Sequence, residues 1–222
     1  GWTVLTPDNR GVGASDAPRP PYRMTDLADD LVAVLEDAAV GPTVLVGLSL
    51  GGMIVQHLAV RRPELVAGLV LASTAAGHSR RERPRLGFLV DLTRSMFGDR
   101  RAAAALQRQL VHPHTLARRP DLFAAWDREA AAEPLRWAGF VGQLCAAAGH
   151  GIDAELRQLR CPVEILAGDG DAIIPPANSH RLAALIPGAR LTILPDTGHA
   201  FPLEAPRAIP ETSTALRCPP RV

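Results

Sequence analysis

The stretch Thr43-Val44-Leu45-Val46-Gly47-Leu48-Ser49-Leu50-Gly51-Gly52 constrains the fold of this 222-residue chain more than any other. An apolar run leads into G-x-S-x-G, and the residues beginning Met53-Ile54-Val55 then suit a buried helix. A serine between a strand and a helix sits on a sharp turn, its hydroxyl lifted clear of the sheet edge. Such a turn strains the backbone and leaves little room for neighbouring side chains, which is what flanking glycines provide.

A serine hydroxyl is a poor nucleophile near neutral pH unless an imidazole removes its proton and an acid orients that imidazole. Residues of both kinds follow. Val163-Glu164-Ile165-Leu166-Ala167 reads as a buried strand ending in Gly168-Asp169-Gly170-Asp171, with Ile173-Ile174-Pro175 after it. Leu191-Thr192-Ile193-Leu194 reads as another strand that leads to Asp196-Thr197-Gly198-His199. The order along the chain is serine, aspartate, histidine.

The remaining pattern alternates strand and helix. Trp2–Thr6 reads as a short strand closed by Pro7, and Pro18-Arg19-Pro20-Pro21 as irregular structure. Thr25 is placed to cap a helix with Asp26, Asp29 and Asp30 in its first turn, favourable against the helix dipole. Leu27, Leu31, Val34, Leu35 and Ala38 mark its apolar face, and Gly41-Pro42 ends it. Val66–Ala72 reads as the next buried strand, and Ala177–Leu185 as a later helix. From Gly77 to Gly149 no buried strand is legible, only arginine- and alanine-rich helical stretches broken by prolines. Alternation on either side of that block argues for an α/β fold with a parallel sheet. Pro206, Pro210, Pro219 and Pro220 interrupt the tail and predict a frayed end.

Composition narrows the chemistry. Hydrophobic residues make up 47%, enough for a sizeable core, and the net charge of +1 gives no reason to invoke nucleic acid or an anionic membrane. Lysine is absent, which excludes a Schiff base, a P-loop lysine and a Ser-Lys dyad. Cys145, Cys161 and Cys218 are odd in number without metal-like spacing, so a reducing cytoplasm is the expectation. His57, His78, His112, His114, His150 and His180 have no carboxylate at metal-ligand spacing and read as structural or solvated, so neither metal nor cofactor is expected.

Taken jointly, the motifs resemble the α/β-hydrolase superfamily over most of the chain. Pro7-Asp8-Asn9-Arg10-Gly11-Val12-Gly13-Ala14-Ser15-Asp16 is similar to its D-x-R-G-x-G-x-S loop, and Gly47–Gly52 to its nucleophile elbow. Gly168–Pro175 is similar to the segment G-x-x-D-x-x-x-P that carries the acid, which assigns the acid to Asp171 ahead of Asp169. Gly198-His199 with Glu204 and Pro206 is similar to the histidine loop. The nearest resemblance is to small capped esterases, enol-lactonases, cofactor-free haloperoxidases and proline iminopeptidases.

That resemblance implies a mostly parallel sheet with helices on both faces and a helical cap: core 1–76, cap 77–149, core 150–222. It implies Ser49 as nucleophile, His199 as base, Asp171 as the orienting acid and the Leu50 backbone N–H as an oxyanion donor. Phe88, Met96, Phe97, Phe123, Trp126, Trp137 and Phe140 are the cap residues that stand as substrate-pocket candidates, although a small core of the insertion explains them equally well. The family's second oxyanion donor follows a strand that the residues from Gly1 onward do not contain. His150-Gly151 precedes the acid-bearing strand, so it is not that element. Either the chain is a fragment, the reading favoured here, or Trp2–Thr6 pairs directly with the elbow strand. The implied activity is hydrolysis of a small ester, thioester or lactone through an acyl-enzyme. The alternatives are a non-catalytic ligand-binding member of the fold and a perhydrolase or haloperoxidase using the same three residues.

Overall fold

The computed structural model describes residues 2–77, 82, 84, 86–124 and 136–216. Among these, four strands form one parallel sheet in the order β1-β2-β3-β4: Thr43–Leu48, Val66–Ala72, Val163–Gly168 and Arg190–Leu194. The register sets Leu45 beside Leu69, Leu71 beside Ile165 and Leu166 beside Thr192. The two central strands are the most fully buried, as expected of strands covered on both faces, and the one charged residue among them, Glu164 in β3, pairs with Arg190. Every residue of β3 is buried, while at the sheet margin β1 buries Leu45 and Gly47 and exposes Val46 and Leu48.

Strand parity divides the interior in two. Leu69, Leu71, Val163 and Ile165 join a large cluster with α1 (Met24–Asp37), α2 (Leu50–Arg61) and α8 (Pro176–Leu185). Val70, Ala72 and Leu166 point the other way, onto Phe201 and Leu216, the latter directly after α9 (Ala208–Ala215). The sheet therefore carries helices on both faces. Between β2 and β3 the described residues form α3 (Leu86–Met96), α4 (Arg100–Gln109), α5 (Pro113–Arg118), α6 (Trp137–Ala148) and the short α7 (Asp153–Leu156). No described helix is long and apolar enough to cross a membrane.

Local expectations fail in three places. Trp2–Thr6 is irregular rather than a strand, with Val4 73% exposed, and it forms no ladder with β1. Three apolar side chains are interspersed here with threonines, and without a strand ladder the segment does not take regular β structure. Helix α1 begins at Met24, not after a Thr25 cap, because the Asp26 carboxylate accepts the Arg23 N–H at 2.8 Å; it ends at Asp37, before Gly41. The tail forms α9 despite its prolines. Pro210 falls in the first turn, where the missing N–H had no helical acceptor, and Leu216 anchors the end at 4% exposure. Pro219, Pro220 and Cys218 lie outside the described residues.

The glycine-rich loop Asp8–Asp16 is fastened to α1 and α6. Both nitrogens of an Arg10 fork meet the Asp30 carboxylate, at 2.5 and 2.6 Å, and Gln143 donates to the Arg10 carbonyl at 3.1 Å. Gly11, at φ +84°, lies so close to Gly139 that a Cβ on either would overlap the other's backbone.

Candidate active site

Ser49 directly follows β1 and precedes α2, at φ +52° and ψ −116°. A serine in that region carries roughly 1–3 kcal/mol of strain, which persists only where the surroundings impose it. Here its N–H donates to the Ala72 carbonyl at 2.9 Å, and its carbonyl accepts the Thr74 hydroxyl at 2.7 Å and the Gly52 N–H at 3.0 Å. Strand and helix also approach closely. A Cβ on Gly47 would stand 2.5 Å from the Gly51 carbonyl oxygen, and one on Gly52 would stand 2.6 Å from the Thr74 side chain. Gly51, the second glycine of the motif, faces open space. Leu50 opens α2, so its N–H has no acceptor within the helix and lies at the positive end of the helix dipole.

Asp171 lies just beyond β3, its side chain fully buried. The Ile173 and Ile174 N–H groups donate to Oδ1 at 2.9 and 2.8 Å, and Oδ2 stands 2.9 Å from His199 Nδ1. A carboxylate fixed in this way accepts from Nδ1–H, which leaves Nε2 as the basic nitrogen. Asp169, two residues earlier, is exposed and accepts the Thr197 N–H at 3.3 Å. It shapes the histidine loop, whereas Asp171 meets the imidazole.

His199 follows β4, the strand next to β3, and its loop folds back across the end of β3. Gly170 donates to the Thr197 carbonyl at 2.9 Å, and a Cβ on Gly168 would overlap that same carbonyl. On its other side the loop meets the segment between α4 and α5: Ala200 donates to the Leu110 carbonyl at 2.6 Å, and Gly198 packs against Val111 and His112. Glu204 joins the two. Its carboxylate accepts the Gly198 N–H at 2.6 Å, the His112 N–H at 2.9 Å and the Thr115 hydroxyl at 2.5 Å. Because all four strands are parallel, Ser49, Asp171 and His199 all stand at one edge of the sheet, the carboxyl end.

The aromatic candidates divide. Phe88 packs on the main core, Met96, Phe123 and Phe140 are half-buried, Trp137 is 45% exposed and Phe97 87% exposed. Trp137 and Phe140 meet edge to face, 6.1 Å between centroids, as a small core of the insertion does. Trp126 lies outside the described residues. One cavity of about 300 Å³ is lined by Leu89, Val90, Thr93 and Arg94, and none of the described candidates borders it. A second, of about 280 Å³, is bordered by Tyr22, Met24, His57 and Cys145, again without them.

Sequence reading passed over a buried histidine pair. His57 Nε2 stands 3.2 Å from His150 Nδ1, and His150 Nε2 stands 3.1 Å from the Ala75 carbonyl. The carbonyl only accepts, so His150 is protonated at Nε2 and takes the His57 Nε2–H at Nδ1. Burial pushes the His57 imidazole below its ordinary pKa, chiefly by desolvation and secondarily through Arg61. His150 is thus a core residue with no part in an oxyanion site, in keeping with its place in the sequence.

Comparison with known proteins agrees with this architecture. A poly(3-hydroxyalkanoate) depolymerase of Ectopseudomonas oleovorans is 33% identical over 217 residues, covering 93% of this chain and 71% of that protein. The enol-lactonase of Burkholderia xenovorans superposes with a TM-score of 0.80 at 25% identity, covering 94% of this chain and 78% of that one. A thermophilic esterase of Thermogutta terrifontis gives a TM-score of 0.76 at 26% identity, with 95% and 79% covered. Residues 1–206 match the family described as alpha/beta hydrolase fold, and the chain belongs to that family.

Proposed function

We propose that the protein is a serine hydrolase that cleaves a small ester, thioester or lactone through an acyl-enzyme on Ser49, with residues 77–149 as a helical cap over the site. The observation that carries this reading is the buried bond between Asp171 and His199, at the sheet edge where Ser49 is held in a strained turn. His199 Nε2 takes the Ser49 proton as Oγ bonds to the carbonyl carbon, and Asp171 stabilises the imidazolium. The Leu50 N–H stabilises the oxyanion. The imidazolium then passes its proton to the departing alkoxide or thiolate. Water, deprotonated by His199, attacks the acyl carbon and releases Ser49 with the acid product. A pure binding role leaves the strain at Ser49 and the Asp171–His199 bond without use. The ester and lactone chemistry in the names of the relatives supports the substrate class. Cys145 and Cys161 are free thiols, which suits work in the cytoplasm on small molecules.

A fluorophosphonate probe tests the proposal directly. Labelling of Ser49 in the wild-type protein, its loss in Ser49→Ala, and turnover of p-nitrophenyl butyrate or a lactone by the wild type alone are the expected results. A folded protein that is not labelled at Ser49 refutes the proposal.

A further inference from the structure

We propose that His112, His114 and Asp196 bind one divalent transition-metal ion of the Zn²⁺ class, and that the ion fastens α5 to the loop that carries His199. One ring nitrogen of each histidine and one Asp196 carboxylate oxygen lie within 4.8 Å of one another. His114 Nδ1 and Asp196 Oδ1 are already 3.2 Å apart, about the separation of two ligands on a tetrahedral ion with bonds near 2.0–2.1 Å. Side-chain rotation supplies what remains, since the side chains of His114 and Asp196 are 64% and 71% exposed. His112 is the fixed member. Its ring packs so closely over Gly170 that a Cβ there would overlap it, and its Nδ1, which accepts the His114 N–H at 3.2 Å, gives up that bond when the ion takes a nitrogen of the ring. Two imidazoles and a carboxylate are the donor set that borderline ions such as Zn²⁺, Co²⁺ and Ni²⁺ favour over Mg²⁺ or Ca²⁺. Three protein ligands leave a further position for water. Linear spacing hides the site because Asp196 is 82 residues from His114. The site is separate from the Ser49 chemistry, yet Asp196 stands only three residues before His199.

The test uses chelator-treated wild-type protein titrated with ZnCl₂ by calorimetry and with CoCl₂ by visible absorption. We expect one Zn²⁺ per chain with a dissociation constant of roughly 10 µM or tighter, and Co²⁺ bands of a site with fewer than six ligands. His114→Ala and Asp196→Asn each weaken binding by about tenfold or more, while Cys145→Ser leaves it unchanged. Both altered side chains are exposed, and circular dichroism verifies that each variant is folded. Absence of saturable binding below about 100 µM overturns the proposal. Binding that survives both substitutions, or that is lost with Cys145→Ser, places the ion elsewhere and overturns it equally.

Discussion

Replacing Glu204 tests whether the histidine loop is held by the insertion. Three donors from two parts of the chain converge on this one carboxylate: the Gly198 N–H on Oε2, and the His112 N–H and Thr115 hydroxyl on Oε1. A hydrogen bond to a charged group contributes about 1.5–3 kcal/mol when fully buried, and less where water can take its place. Gly198 is buried whereas His112 and Thr115 are only half-buried, so Glu204→Ala is expected to cost about 2–4 kcal/mol. Glu204→Gln keeps one oxygen for the pair of donors and turns its NH₂ toward the Gly198 N–H, which costs about 1–2 kcal/mol. Urea unfolding monitored by circular dichroism measures both. Ester turnover should fall about 10- to 100-fold in Glu204→Ala, because small displacements of a general base are costly to the rate. An alanine variant within about 0.5 kcal/mol of wild type, or a glutamine variant as damaged as the alanine, refutes the reasoning.

Asp171→Asn keeps the shape of the side chain but presents an N–H to His199, which puts the imidazole proton on Nε2. The kcat should fall about 10³- to 10⁴-fold in steady-state assays with folding retained, and a loss below tenfold contradicts the tautomer argument. His57 is held neutral by burial, so its folded pKa lies below its unfolded value and the unfolded chain binds the extra proton first. The resulting stability is complete above about pH 6.5 and is lost as pH falls through the depressed folded value, so the Tm of wild type should drop more steeply with acid than that of His57→Gln. Gly51→Ala meets open space inside a helix and should raise stability by up to about 1 kcal/mol. Gly52→Ala collides with the Thr74 side chain and should lower it by about 1–3 kcal/mol; thermal melts that reverse this order contradict the packing.

What the sequence disclosed is what short stretches of chain decide by themselves. Val66–Ala72 and Val163–Gly168 are strands because a short, mostly apolar run buried on both faces has few other solutions, and β2 falls on the expected residues. Ser49 directly follows β1, and Asp171 and His199 lie in the loops after β3 and β4, so local pattern alone could propose them, and a parallel sheet brings such loops to one edge. Trp2–Thr6 has strand-forming residues but joins no ladder of the described sheet, so propensity alone misled. The spelling G-x-S-x-G weights Gly47 and Gly51 alike, yet the space that matters belongs to Gly47 and Gly52, because Thr74, 22 positions beyond Gly52, fills it. The same holds on the far side of the site. Glu204 with His112, and Asp196 with His114, are brought together by how far one loop folds back over β3 and where the chain re-enters after α4. No periodicity encodes that distance. The proposed catalytic groups could therefore be named from local pattern, whereas the contacts that hold His199 in place depend on tertiary packing and emerge only from the fold.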